Sequence, residues 1–300
     1  MLPAVTAAAF LMGAGTAWLA RTYQYEMRAA AARQLTGSHF VGVGKTNIEY
    51  VLRGEGAPHV LISHQAMGGY DQALSIGTLY GNSTIIAPSR AGYLRTPLEA
   101  GRTPEAMADT FAALLDYLNV PNVVIAGYSA GAMAAIAFAL RHPERCRALV
   151  LGNAITQPPP AYVMEILAPL ALANRWDFSN WLISSVVERT LPFIERDAEV
   201  LPILRSLQHN NPASLRFEGF KLDVEQMRAY KPNLEAVRVP TLIIHGSADM
   251  LVTADQARQA AERIPNAQLL MIERGGHDAS VRFLHLVKPA LARLIHETSL

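Results

Sequence analysis

Six short apolar runs limit most strongly what this chain can become: "HVLIS", "TIIAP", "NVVIA", "RALVLG", "PTLIIHG" and "QLLMIE", spread between residues 59 and 273. A strand wetted on one side alternates apolar and polar residues, whereas these runs are continuous, so each is expected to be covered on both faces. Helix-length segments separate them, the pattern of an α/β chain with a mostly parallel sheet and helices on both faces. Two further β-rich runs, "HFVGV" and "IEYVLRG", lie upstream. The helix before the third of the six runs is well marked. Thr103 can cap it, Pro104 suits its first turn, and Met107, Phe111, Leu114, Leu115 and Leu118 recur at helical spacing. A second helix starts at Thr253, with Thr253 and Gln256 in capping-box spacing.

With 300 residues, 51% of them hydrophobic, the chain can bury one large core or a core carrying an insertion. Its 26 basic and 25 acidic residues leave a formal charge of +1, so no global field recruits nucleic acid, and none is expected as a partner. The single cysteine, Cys146, excludes an intramolecular disulfide and a cysteine-based zinc site. Neither a metal constellation nor a glycine-rich phosphate loop is apparent, so no cofactor is expected.

Chemistry enters at "VVIAGYSAGAMAAIAFALRHP", residues 123–143. "NVVIA" reads as a buried strand and "AMAAIAFALRH" as an apolar helix that ends before Pro143, so "GYSAG" is the whole connection between them. Gly127 and Gly131 lack side chains that would collide where strand and helix approach, and Ser129 is forced out at the tip. This is the GxSxG nucleophile elbow in its strand–turn–helix context. A serine hydroxyl needs a base. Among nine histidines, His277 lies in a loop after the last run, where Gly275 and Gly276 let the chain turn, and it is the expected general base. A carboxylate must orient that imidazole. Asp249 ends "PTLIIHGSAD" at the carboxyl edge of a strand, while its rivals are Asp255, in the first turn of a helix, and Asp278, adjacent to the histidine. Asp249 is the expected orienting acid.

In strand order, in the order Ser129, Asp249, His277 and in spacing, residues from about 39 onward resemble the α/β-hydrolase superfamily. The resemblance implies an eight-stranded sheet flanked by helices with a cap between the sixth and seventh strands. That interval, 157–238, opens with "QPPP" and continues as amphipathic helices, which makes it a helical cap inserted into a core of 36–156 and 239–300. The resemblance also implies an oxyanion hole from two backbone amides: Ala130, after the nucleophile, and Ala66, in the loop "SHQAMGGYDQ". Gln65 stands where the family usually has glycine, which leaves Gln65 and Ala66 as alternatives for the second donor. His64 and Asp71 are expected to fix that loop and cap the next helix, and Arg90 to be a structural hydrogen bonder. Trp176, Phe178 and Trp181 in the cap either line an apolar acyl pocket or form the cap's own core.

From Leu2 to Ala20 there are 19 uncharged residues, about 28 Å as a helix, close to the roughly 30 Å hydrocarbon core. Arg21, Arg28 and Arg33 follow them and no basic residue precedes them. Residues 1–35 are therefore expected to be an uncleaved single-pass membrane anchor and linker, with the catalytic domain in the cytoplasm. A cleaved signal peptide, with a secreted or periplasmic domain, and a helix packed on the folded domain are the other readings. Taken together, the residues predict a serine hydrolase that cleaves a lipophilic carboxylic ester, a small molecule, through an acyl-enzyme. A non-catalytic ligand-binding protein, an acyltransferase and a carbon–carbon hydrolase on the same fold are the alternatives.

Overall fold

A computed structural model describes residues 2–173, 175–208 and 210–298, with the side chains of all but 2–13, 34, 35, 170, 171 and 173. Every apolar run forms a strand. The strands are β1 (His39–Val43), β2 (Thr46–Arg53), β3 (Gly56–Ser63), β4 (Ser83–Pro88), β5 (Val123–Tyr128), β6 (Cys146–Gly152), β7 (Thr241–Gly246) and β8 (Ala267–Ile272). They make one eight-stranded sheet in the order β1-β2-β4-β3-β5-β6-β7-β8. β2 runs antiparallel to both β1 and β4, and the other neighbours are parallel. The expected α/β-hydrolase fold is what the chain adopts: a mostly parallel eight-stranded sheet between helices, with a helical insertion.

The helices are α1 (Leu2–Thr36), α2 (Tyr70–Gly77), α3 (Pro104–Tyr117), α4 (Ala132–Arg141), α5 (Ala161–Ala173), α6 (Asp177–Ile194), α7 (Val200–Gln208), α8 (Phe217–Ala229), α9 (Ala254–Arg263), α10 (Ala279–Arg282) and α11 (Leu284–Glu297). Side chains alternate across each strand, so β5 sends Val123 and Ile125 to one core and Val124 and Ala126 to the other. The first core is closed by α3, α4 and α9, with Phe111, Leu115 and Phe138 fully buried. The second is closed by α2, α10, α11 and also α7, whose Ile203, Leu204 and Leu207 pack on it from within the inserted segment.

Local signals met different fates. Thr103 caps α3, its Oγ1 accepting from the Ala106 N–H at 3.1 Å. The capping box at Thr253 does not form, because the Gln256 side chain accepts instead from the N–H groups of Thr156 and Gln157 at 3.1 and 3.3 Å. Asp71 does not cap α2 at its N-cap, which is Gly69; its carboxylate pairs with the buried Arg216 at 2.6 Å.

The expected membrane anchor is corrected. Among the described residues, no helix is long and apolar enough to cross a membrane. The membrane partner, the single-pass anchoring and the cytoplasmic placement of the domain, all inferred from such a span, fall with it. Alanine, glycine and threonine make up more than half of Leu2–Ala20, and α1 runs on through Arg21, Arg28 and Arg33. The side chains of 2–13 lie outside those described. Farther along, α1 packs on the inserted helices: Tyr23 meets the rings of Phe178 and Trp181 edge-on at 5.3 and 5.4 Å, and Trp181 Nε1 donates to Glu26 at 2.5 Å.

Candidate active site

Ser129 sits at the carboxyl end of β5, near the middle of the sheet, with φ of +50°. A non-glycine residue tolerates that conformation only where its surroundings enforce it. They do so through close approach. A Cβ on Gly127 would lie 2.5 Å from Ala132 Cα, and one on Gly131 would lie 2.2 and 2.4 Å from the carbonyl oxygens of Ser63 and His64. Glycine is thus required on both sides of the turn, and the serine hydroxyl is thrust above the sheet edge.

His277 arrives from the loop after β8. That loop is drawn against the end of β7, where a Cβ on Gly246 would lie 2.2 Å from the Gly275 carbonyl oxygen. His277 Nε2 is 3.1 Å from Ser129 Oγ, and its Nδ1 is 2.8 Å from Asp249 Oδ2. With a carboxylate beside Nδ1, the ring hydrogen belongs there, leaving the Nε2 lone pair facing the hydroxyl. Asp249 is buried and accepts three more hydrogen bonds: from the amides of Leu251 and Val252, both at 2.9 Å, and from Asn153 Nδ2 at 3.1 Å. Burial by itself raises the Asp249 carboxyl. The hydrogen bond and charge of His277, with those further donors, outweigh it and hold the group below the usual carboxylate range.

The rival carboxylates have other partners. Asp278 pairs with Arg282 at 2.8 Å, and the exposed Asp255 pairs with Arg258 at 2.8 Å. One residue of the site went unnoticed in the sequence. Asn153, at φ +45° just past β6, donates to Asp249 and to the Gly276 carbonyl at 3.2 Å while accepting from the Ser280 N–H at 3.1 Å. It ties the acid to the histidine loop. An asparagine directly after a buried strand, in "LVLGNA", was the available signal.

Gln65, Ala66 and Ala130 border one cavity of about 200 Å³ with Ser129 and His277. The remaining wall is apolar, including Val163 and Leu167 of α5, Phe220 and Met227 of α8, and Ile155. Trp176, Phe178 and Trp181 are not in that wall; Phe178 and Trp181 stack toward α1, and Trp176 is 58% exposed. His64 is fully buried, with Nδ1 2.7 Å from the Gln65 carbonyl and Nε2 accepting from the Arg90 N–H at 2.9 Å. Burial, reinforced by the Arg90 charge, pushes its pKa well down and keeps it neutral. Cys146 is buried away from the cavity. Among the described residues, no group of three or more histidine, cysteine, aspartate or glutamate side chains is arranged to hold a metal ion.

Residues 105–280 match the family model described as serine aminopeptidase, S33. The chain is 28% identical to an uncharacterized hydrolase, YcgS, of Bacillus subtilis over 258 residues, 77% of this chain and 88% of that one. It is also 28% identical to 2-hydroxymuconate semialdehyde hydrolase of Pseudomonas putida over 265 residues, covering 80% and 89%. Among solved structures it superposes on an α/β-hydrolase fold protein from Nakamurella multipartita with a TM-score of 0.71 at 26% identity, covering 86% of this chain and 98% of the other.

Proposed function

The chain belongs to the family described as serine aminopeptidase, S33, within the α/β-hydrolase superfamily, and from that premise we propose that it hydrolyses a carboxylic ester with a lipophilic acyl group through an acyl-enzyme on Ser129. The observation carrying this reading is the unbroken hydrogen-bond chain from Ser129 through His277 to Asp249, opening into an apolar cavity.

Ser129 Oγ attacks the ester carbonyl as His277 Nε2 takes its proton. The resulting imidazolium is stabilised by Asp249, whose three other donors keep the carboxylate aimed at Nδ1. The amides of Ala130 and Ala66 receive the oxyanion, and His277 returns the proton to the departing alcohol. Water then enters, loses a proton to the same nitrogen and releases the acid. An ester rather than an amino-terminal residue fits the cavity because, among the described residues lining it, none is a carboxylate that would pair with an α-ammonium group. Apolar walls from α5 and α8 supply the binding energy for the acyl chain.

The test is turnover of p-nitrophenyl butyrate together with covalent labelling by a fluorophosphonate. Ser129→Ala is expected to lose roughly 10³ to 10⁶ in kcat while melting normally. Unchanged turnover in that variant removes the mechanism, and a wild-type chain that is neither labelled nor active identifies a binding protein on a hydrolase fold.

A further inference from the structure

The loop between β3 and α2 is gripped at both ends by one buried carboxylate that comes from the inserted helices. Asp223, on α8, receives both Arg90 terminal nitrogens at 2.5 and 2.7 Å and the Tyr93 hydroxyl at 2.5 Å. Arg90 carries the link to one end of the loop, its Nε donating to the His64 carbonyl and its backbone N–H to His64 Nε2, both at 2.9 Å. Tyr93 carries it to the other end, its hydroxyl accepting from the Met67 N–H at 3.3 Å. Met67 has φ of +58°, a conformation costly for methionine unless something holds it. The Tyr93 ring is itself packed between His64, edge-on at 4.8 Å, and the Arg90 guanidinium at 5.0 Å. Between the two anchored ends lie Gln65 and Ala66, which face the cavity beside Ser129.

Arg90, Tyr93 and Asp223 are all buried, at 5%, 0% and 1% exposure. Burying such a pair is a poor route to stability, since desolvation offsets most of the attraction and apolar residues of similar volume serve as well. What a fully satisfied polar network does supply is a single fixed geometry. Ester hydrolysis needs that in the oxyanion amide, where a misplacement of about 1 Å can cost on the order of 10²-fold in rate. Resting on the acyl-enzyme reading above, we infer that Asp223, acting through Arg90 and Tyr93, is a positioning residue that sets the oxyanion-binding amide at Gln65–Ala66. The inserted helices therefore take part in transition-state stabilisation as well as in enclosing the acyl group.

The variant to test is Tyr93→Phe, which removes the hydroxyl between Met67 and Asp223 but leaves the Arg90–Asp223 pair and the ring packing in place. With p-nitrophenyl butyrate, kcat is expected to fall about 10- to 100-fold with KM within about twofold. The bound is the roughly 10²- to 10³-fold loss when an oxyanion donor is removed outright. Affinity for an alkyl trifluoromethyl ketone, whose serine adduct carries the oxyanion, is expected to fall in proportion to kcat/KM. Asp223→Asn, if it folds, should move the same quantities further. A wild-type kcat in Tyr93→Phe, or a fall in kcat with ketone affinity unchanged, overturns the inference. Wild-type and Ser129→Ala chains run alongside separate the two failures. An inactive wild type removes the functional reading and this one with it, whereas an active wild type, an inactive Ser129→Ala and a normal Tyr93→Phe remove this inference alone.

Discussion

Asp249→Asn is the most exacting test of the site, because the structure dictates how the new amide must sit. Oδ1 accepts two backbone amides, from Leu251 and Val252, and Oδ2 accepts His277 Nδ1 and Asn153 Nδ2. Turning the asparagine nitrogen toward the backbone would leave two buried N–H groups facing a donor, at about 1–3 kcal/mol each. Turning it toward His277 costs less, because Asn153 keeps its bond to the Gly276 carbonyl. The asparagine N–H then forces His277 to present a lone pair at Nδ1 and moves the ring hydrogen to Nε2, where it faces Ser129. The base is left in the wrong tautomer, and kcat should fall by up to about 10⁴, or about 5.4 kcal/mol of transition-state stabilisation at 1.36 per decade. Stability should fall by about 1–3 kcal/mol for the mismatched donor.

A pH series sharpens the same test. A carboxyl held below its ordinary value contributes stability in its ionised form, fully present above the unfolded pKa of about 3.9 and lost as pH falls through the folded value. Asparagine has no such titration. The gap in Tm between the wild type and Asp249→Asn should be widest above about pH 5 and narrow below about pH 4. Asp255→Asn and Asp278→Asn, whose carboxylates pair with Arg258 and Arg282, serve as controls with near-normal kcat. Near-normal ester turnover in Asp249→Asn, or a severe loss in either control, would refute the assignment.

Two further outcomes follow from packing. Gly131→Ala puts a Cβ within 2.2 and 2.4 Å of two backbone carbonyl oxygens, which no side-chain rotation relieves, so urea unfolding should show a loss of about 3 kcal/mol or more; a loss under about 1 kcal/mol would contradict the tight elbow. Burial pushes the Cys146 thiol up to about 12, so iodoacetamide at pH 8 should leave it unmodified in the native chain and alkylate it in guanidinium, as mass spectrometry would read.

Ser129, Asp249 and His277, which the structure brings into one hydrogen-bonded chain, could be singled out in the sequence because each is announced by its immediate neighbours. The serine lies between glycines that join a strand to a helix, the acid just past a continuous apolar run, and the histidine after a glycine pair. Tyr93, Arg216 and Asp223 carry no such mark. Arg90 and Asp223 are 133 positions apart, and nothing in a list of charged residues says which ones meet. The same limit explains the misread local signals. Gln256 had the spacing for a capping box, but the amides of Thr156 and Gln157, about a hundred positions away, took its side chain. The aromatic residues of the insertion could be assigned to cavity or core only after α1 was seen to pack against Phe178 and Trp181.

The inserted helices meet the site in two physically different ways. The segment leading into α8 is locked to the turn after β4: Leu94 N–H donates to the Leu215 carbonyl at 2.6 Å, and Gly219 N–H to the Gly92 carbonyl at 2.9 Å. The approach is so close that a Cβ on Gly219 would lie 2.3 Å from the Tyr93 ring, and Arg216, fully buried, donates to the Gly68 carbonyl at 2.6 Å. Helix α5 reaches the cavity through apolar side chains, Val163 and Leu167, whose contacts are non-directional. Changes on α5 are therefore expected to alter which acyl group fits while leaving the loop between β3 and α2 where it is. Changes at the start of α8 displace the loop as well, because Phe220 lines the cavity only one turn before Asp223 joins Arg90 and Tyr93. Acyl preference can thus vary through α5 at constant chemistry, whereas α8 couples the two.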